Sequence, residues 1–163
     1  MPYCFSFDGE NTHFYRERDL SFFDLAEHHI WMTKLNKQQF YHEVGQAKDG
    51  RFTEEAYHLL ADHALDVYHN KEAYWKQLLV DGIQTLAADA KAAGLPLATT
   101  ECWGITDYKD FPMLPWDWVK DLCARGVETA CQTGQWALMA TSNFAAPQFC
   151  GMWRDVAWHQ RLT

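Results

Sequence analysis

The apolar positions of this chain switch between two spacings. Tyr3 to Phe7 is a compact apolar and aromatic run closed by Asp8-Gly9, which predicts a strand. The polar stretch Glu10 to Arg18 reads as a short connection, and a second strand is predicted within Phe22 to Trp31. Residues 33–52 are polar and contain Gly45 and Gly50, the pattern of a long loop or an excursion carrying a short helix. Thr53 then opens a helix: its hydroxyl suits a cap, and Glu54 and Glu55 suit the positive N-terminal end. Tyr57, Leu60, Ala61, Ala64, Leu65 and Tyr68 form the apolar side of that helix. In the next, Trp75, Leu78, Leu79, Ile83, Leu86, Ala87 and Ala90 recur at helical spacing, and Gly94 followed by Pro96 ends it.

Leu95 to Thr100 predicts a third strand that breaks at Glu101-Cys102-Trp103-Gly104. Pro115 suits the first turn of a helix whose buried stripe holds Trp118, Val119, Leu122, Cys123, Val127 and Ala130, with Gly134 beyond its end. Trp136 to Thr141 reads as a fourth strand ending at Ser142-Asn143, and a last helix is expected over roughly 152–162. Strands alternating with helices call for an α/β fold with a parallel sheet. Four strands make a small sheet, and its edges are exposed unless they pair with something.

Composition narrows the function classes. A chain of 163 residues with 48% hydrophobic positions can bury a core as one domain. A formal charge of −8 and the lack of any basic run argue against nucleic acid as a partner. Five cysteines without a Cys-x-x-Cys pair argue against zinc ribbons and thioredoxin-type centres. No stretch has the length of a membrane span, and the first residues lack the features of a signal peptide, so a cytoplasmic setting is expected. Eight tryptophans are unusual: most are expected in the core, and two or three along a groove.

In a parallel α/β fold the C-terminal ends of all strands lie on one face, where active sites are built. Those ends carry Asp8, Glu27-His28-His29, Glu101 and Ser142-Asn143, so residues far apart in sequence are expected to converge. Glu101 stands out, following Leu97-Ala98-Thr99-Thr100 and lying beside Trp103 and Gly104. A carboxylate there can serve as nucleophile or acid/base, and the alternative is a loop carboxylate that caps a helix or pairs with arginine. On an extended strand, neighbours face opposite sides, so Glu27 and His29 can share a face while His28 and His29 cannot. Glu27, His29 and Asp8 form one conceivable metal set. The favoured alternative has no metal and no cofactor, with one of His28 and His29 bonding a substrate hydroxyl and the other packing outside. Trp31 with Trp103, and Asn143 with Phe144, are candidate sugar-facing surfaces, whereas Trp116, Trp118, Trp136, Trp153 and Trp158 are expected in the core and Cys102 is read as structural.

Phe5-Ser6-Phe7-Asp8-Gly9, the run from Phe23 to Trp31, and Thr99-Thr100-Glu101-Cys102-Trp103-Gly104 resemble strands five to seven of cellulase-like glycoside hydrolases with a (β/α)8 barrel. Ala140-Thr141-Ser142-Asn143-Phe144, with Pro147-Gln148-Phe149, is similar to an eighth strand and its loop. The resemblance implies the C-terminal half of a TIM barrel: four parallel strands with helices, a single half-barrel domain over residues 1–163, and residues 33–70 as an insertion or extended loop-helix region. It implies a retaining hydrolase of O-glycosidic bonds with Glu101 as nucleophile. Asp8, His28, His29, Trp31, Trp103 and Asn143 would surround the sugar, with Glu27 as a further acid.

The family's acid/base glutamate belongs to an Asn-Glu pair on strand four, which this sequence does not contain. A retaining mechanism needs two carboxyl groups about 5 Å apart. Three explanations stay open: a piece of a longer hydrolase, a half that pairs with its own copy or with a complementary half-barrel, or a non-catalytic carbohydrate-binding module. A metal-dependent sugar isomerase-like fragment using Asp8, Glu27 and His29 is a further alternative.

Overall fold

The computed structural model describes residues 2–46, 53–105, 115–139 and 154–163. Four strands, β1 (Cys4–Asp8), β2 (Leu25–His29), β3 (Leu97–Thr99) and β4 (Trp136–Met139), form one sheet in the order β1-β2-β3-β4. All three pairings are parallel, with Ser6 opposite Glu27, Glu27 opposite Ala98, and Leu97 opposite Trp136. Chain-ordered parallel neighbours with helices between them are the arrangement of successive βα units in a barrel wall. β1 and β4 are the edge strands.

The helices are α1 (Phe14–Glu17), α2 (Leu35–Val44), α3 (Glu54–Asn70), α4 (Glu72–Ala92), α5 (Asp117–Thr133) and α6 (Val156–Leu162), with a 3-10 turn at Met32–Lys34 before α2. Thr53 caps α3 as its sequence requires, its side chain accepting from the Ala56 backbone N–H. Gly94 and Gly134, just past α4 and α5, take φ of 72° and 66°, a conformation that costs glycine little. No helix among the described residues is long and apolar enough to cross a membrane.

One expectation changes, and one left open is resolved. The polar connection Glu10 to Arg18 contains a helical turn, α1, which buries Tyr15. For the polar region after Met32 the reading with a short helix holds over the described residues, because Leu35, Phe40, Tyr41 and Val44 are buried and tie α2 to the core. The overall polarity of that stretch hid these few apolar anchors. α2 starts with an irregular turn in which Asn36, Lys37 and Gln38 have φ of 48°, 56° and 64°. The Glu10 carboxylate holds it by accepting from the backbone N–H of Asn36 at 2.8 Å and of Lys37 at 3.4 Å.

The core lies between the sheet and the helices. Ala26 and Leu97 pack with Leu86, Ala90 and Leu95 from the end of α4 and its exit loop. A larger cluster joins Ile30, Phe40, Tyr68, Trp75, Ile83, Trp118 and Leu122 beyond the strand ends. Trp118 and Trp158 are buried and Trp136 packs against this core, as expected for them, while Trp153 lies outside the described residues. On the opposite face of the sheet the strands carry Ser6, Glu27 and Ala98, and Leu138 in register with Ala98 is 60% exposed.

Candidate functional site

Strand alternation sorts the three polar residues ending β2 onto two faces. His28 turns toward the helices and is buried. Its Nε2 lies 2.9 Å from the Gly9 carbonyl oxygen, an acceptor only, so Nε2 carries the hydrogen. Nδ1 then accepts from the Tyr15 hydroxyl at 3.2 Å. The imidazole is parallel to the Phe14 ring within 2°. Burial holds the His28 pKa below its usual value, partly opposed by the Gly9 bond and the charge of Asp8. His28 therefore acts in the packing of β1, α1 and β2, away from the open face, and is not placed to meet a sugar.

Glu27 and His29 share the other face. The Glu27 carboxylate is 7% exposed and is enclosed by donors from both neighbouring strands. One oxygen accepts from Ser6 Oγ on β1. The other accepts from the Thr100 backbone N–H at 2.9 Å and the Thr100 hydroxyl at 3.0 Å, just past β3. His29 Nε2 lies 2.9 Å from that same oxygen. Burial acts to raise the pKa of Glu27, but the bonds from Ser6 and Thr100 and the nearby His29 outweigh it and hold it below the ordinary value.

Glu101 leaves β3 two residues after Thr99, whose hydroxyl donates to the Glu101 carbonyl at 3.2 Å. Its side chain is 40% exposed, and its carboxylate lies 3.7 Å from His29 Nδ1. The His29 ring thus stands between a buried carboxylate and an accessible one. Asp8 is opposite His29 in register, and its carboxylate pairs with Lys34 Nζ at 2.7 Å. Glu27, His29 and Glu101 therefore meet at the exits of β2 and β3, while Asp8 ends β1 in register with His29 and pairs with Lys34. Asn143 lies outside the described residues.

Trp31 and Trp103 are neighbours, joined by a parallel bridge and by the Met32 N–H donating to the Trp103 carbonyl at 2.8 Å. Both are 1% exposed or less. A Cβ built on Gly126 of α5 would stand 2.5 Å from Trp103 Cγ, so the indole lies flat against the helix backbone. Trp136 meets its ring edge-to-face at 5.8 Å. As placed, neither indole offers a face to a ligand, which corrects the expectation that they form sugar-facing surfaces. Large aromatic rings at strand exits filled the gap between sheet and α5 instead. Cys102 is also fully buried, and burial pushes its thiol well above the usual pKa, in keeping with a structural role.

Among the described residues no group of three or more His, Cys, Asp or Glu side chains is arranged to hold a metal ion. Asp8 is drawn to Lys34 instead of joining Glu27 and His29. Ser6 and Thr100 were not singled out from the sequence, although Ser6 shares the face of Glu27 across β1 and β2. Its signal was the parallel register, which depends on a pairing that no single segment reveals.

Known proteins bear on this geometry. The model of the cellulase-like family, described as sugar-binding cellulase-like, matches residues 1–163. No curated protein matches the chain. A crystal structure of a "putative glycoside hydrolase" from Parabacteroides distasonis ATCC 8503 is 51% identical and superposes with a TM-score of 0.92. The match covers 99% of this chain and 42% of that one, so the chain spans less than half the length of its structural relative. With a family model matched along its whole length and a fold that superposes on that relative, the chain belongs to the sugar-binding cellulase-like family.

Proposed function

We propose that this chain forms the C-terminal half of a glycoside hydrolase-type barrel, binds carbohydrate at its strand exits, and supplies Glu101 as the nucleophile of a retaining reaction. The observation that carries the reading is the accessible Glu101 carboxylate at the exit of β3, facing His29 across 3.7 Å. A nucleophilic carboxylate must reach the anomeric carbon and be ionised when it does. Of the carboxylates gathered around His29, Glu101 meets the first demand, whereas Glu27 is enclosed. His29 and Asp8 border the same exits and suit hydroxyl recognition.

Retaining hydrolysis needs a second carboxyl group about 5 Å from the nucleophile. In this reading it comes from the complementary four strands of the barrel, carried by a longer chain or by a partner half. The sheet edges at β1 and β4 and the exposed Leu138 support such a completion, since closing the barrel pairs both edges and covers the open face. A homodimer would also pair the edges, by two-fold symmetry.

The second reading is carbohydrate binding without hydrolysis. It is favoured by the engagement of Glu27, which removes the nearest candidate for a second catalytic acid. Oligosaccharide titration with tryptophan fluorescence, run beside aryl-glycoside release, separates the two. Binding with turnover supports the hydrolase, binding without turnover in the completed barrel supports the binding module, and neither signal overturns both.

A further inference from the structure

Glu27 has acceptor sites for about four hydrogen bonds when ionised. Four donors surround it: Thr100 N, Thr100 Oγ1 and His29 Nε2 at one oxygen and Ser6 Oγ at the other. A residue so enclosed, only 7% exposed, is shut off from proton exchange with a bound sugar. It is therefore a poor general acid or base, and the role expected for it from the sequence does not suit its surroundings. Its bonds have another consequence. An ionised carboxylate only accepts, so His29 must point a hydrogen from Nε2 toward Glu27. In the neutral ring the lone pair then sits on Nδ1, the atom that faces Glu101.

We propose that Glu27 is a positioning residue that fixes the tautomer and ring plane of His29, so that Nδ1 is presented to Glu101 and to a sugar hydroxyl beside both. The proposal rests on the reading of Glu101 as the reacting carboxylate. A separation of 3.7 Å is too long for a hydrogen bond, so the two groups can close on each other or share a sugar hydroxyl that lies beside both. When neutral, His29 accepts a hydrogen bond from that hydroxyl through Nδ1. When protonated, it carries a hydrogen on Nδ1 as well and can donate to Glu101. The arrangement also ties the site to the sheet: Glu27 is bonded to β1 through Ser6 and to the end of β3 through Thr100, so His29 is oriented by three adjacent strands. Groups that orient a reactive side chain in this way act through hydrogen bonds made elsewhere on the same ring.

The test is long-range nitrogen-proton NMR of the chain labelled with 15N-histidine, with the His29 signals assigned by their loss in His29→Asn. The pH is raised until the imidazole is neutral. Wild-type His29 is expected to show a pyrrole-type Nε2 and a pyridine-type Nδ1. In Glu27→Ala, which removes the acceptor facing Nε2, the preference for the Nε2–H form is expected to fall and the Nδ1–H form to gain population. A wild-type ring already in the Nδ1–H form overturns the proposal without reference to any variant. So does a folded Glu27→Ala protein with an unchanged His29 spectrum. These outcomes are separate from the role of Glu101: should Glu101→Gln retain full turnover while His29 holds the expected tautomer, the nucleophile assignment fails and the orientation by Glu27 stands.

Discussion

The Glu27 carboxylate accepts both the backbone N–H and the hydroxyl of Thr100, at 2.9 and 3.0 Å, and Thr100 is the residue before Glu101. A buried side chain of β2 thereby sets the direction in which the chain leaves β3. The fold and the site meet at this pair, because Glu101 inherits its position from the bonds made one residue earlier.

Removing the carboxylate should therefore cost stability as well as function. Glu27→Ala leaves the Ser6 and Thr100 donors without their acceptor, and stranding a buried polar group costs about 1–3 kcal/mol. The expected loss is roughly 2–4 kcal/mol for the set, read from urea unfolding. Glu27→Gln should lose about half as much or less, since its amide oxygen still accepts from Thr100. Equal losses for the two variants would show that side-chain volume, not hydrogen bonding, explains the effect.

His28 makes stability depend on pH. Its pKa is lowered in the fold from the ordinary value of 6.5, so the unfolded chain takes up the proton first as the solution is acidified. The stability from its burial is complete above about pH 6.5 and is lost as the pH falls through the folded value. Glu27 acts in the same sense at lower pH, because its folded pKa also lies below the ordinary 4.5. One such group contributes a slope of up to about 1.4 kcal/mol per pH unit. Urea midpoints at about pH 7.5 and 5.5, which bracket the ordinary histidine pKa, should fall with acid in the wild type and fall less in His28→Gln. Parallel behaviour of the two proteins would contradict a neutral, buried His28.

Gly126 tests the placement of Trp103. Alanine in place of glycine within a helix ordinarily stabilises by about 1 kcal/mol. Here the added Cβ would lie 2.5 Å from Trp103 Cγ, inside the contact limit, and overpacking of this kind costs about 1–3 kcal/mol. The clash should win, so Gly126→Ala is expected to lower the melting temperature and to perturb tryptophan fluorescence. A higher melting temperature would mean that the indole does not lie on α5.

Much of this arrangement was legible in the sequence. β1 and β3 were visible as short apolar runs, and α4 through seven apolar positions at helical spacing, because burial on one side leaves a periodic trace. The separation of Glu27 and His29 from His28 followed from the two-residue period of a strand. α1 escaped because four residues are too short to show a period, and α2 was only one of two readings because its apolar anchors are scattered in a polar stretch. Trp31 and Trp103 illustrate a different limit. A tryptophan's amphipathic ring suits a sugar face or a core equally well, and only the position of Gly126 on a distant helix decides between them. The donors of Glu27 were hidden for a related reason: Ser6 and Thr100 are 21 and 73 residues away from it along the chain.

The nucleophile assignment is tested most directly by aryl-glycoside turnover in the barrel completed with its complementary four strands, comparing wild type with Glu101→Gln. Glutamine keeps the shape and the hydrogen-bonding reach of Glu101 but cannot form the glycosyl-enzyme bond. Turnover should fall to background in the variant while its unfolding midpoint and oligosaccharide binding are retained. Unchanged turnover in Glu101→Gln would contradict the account.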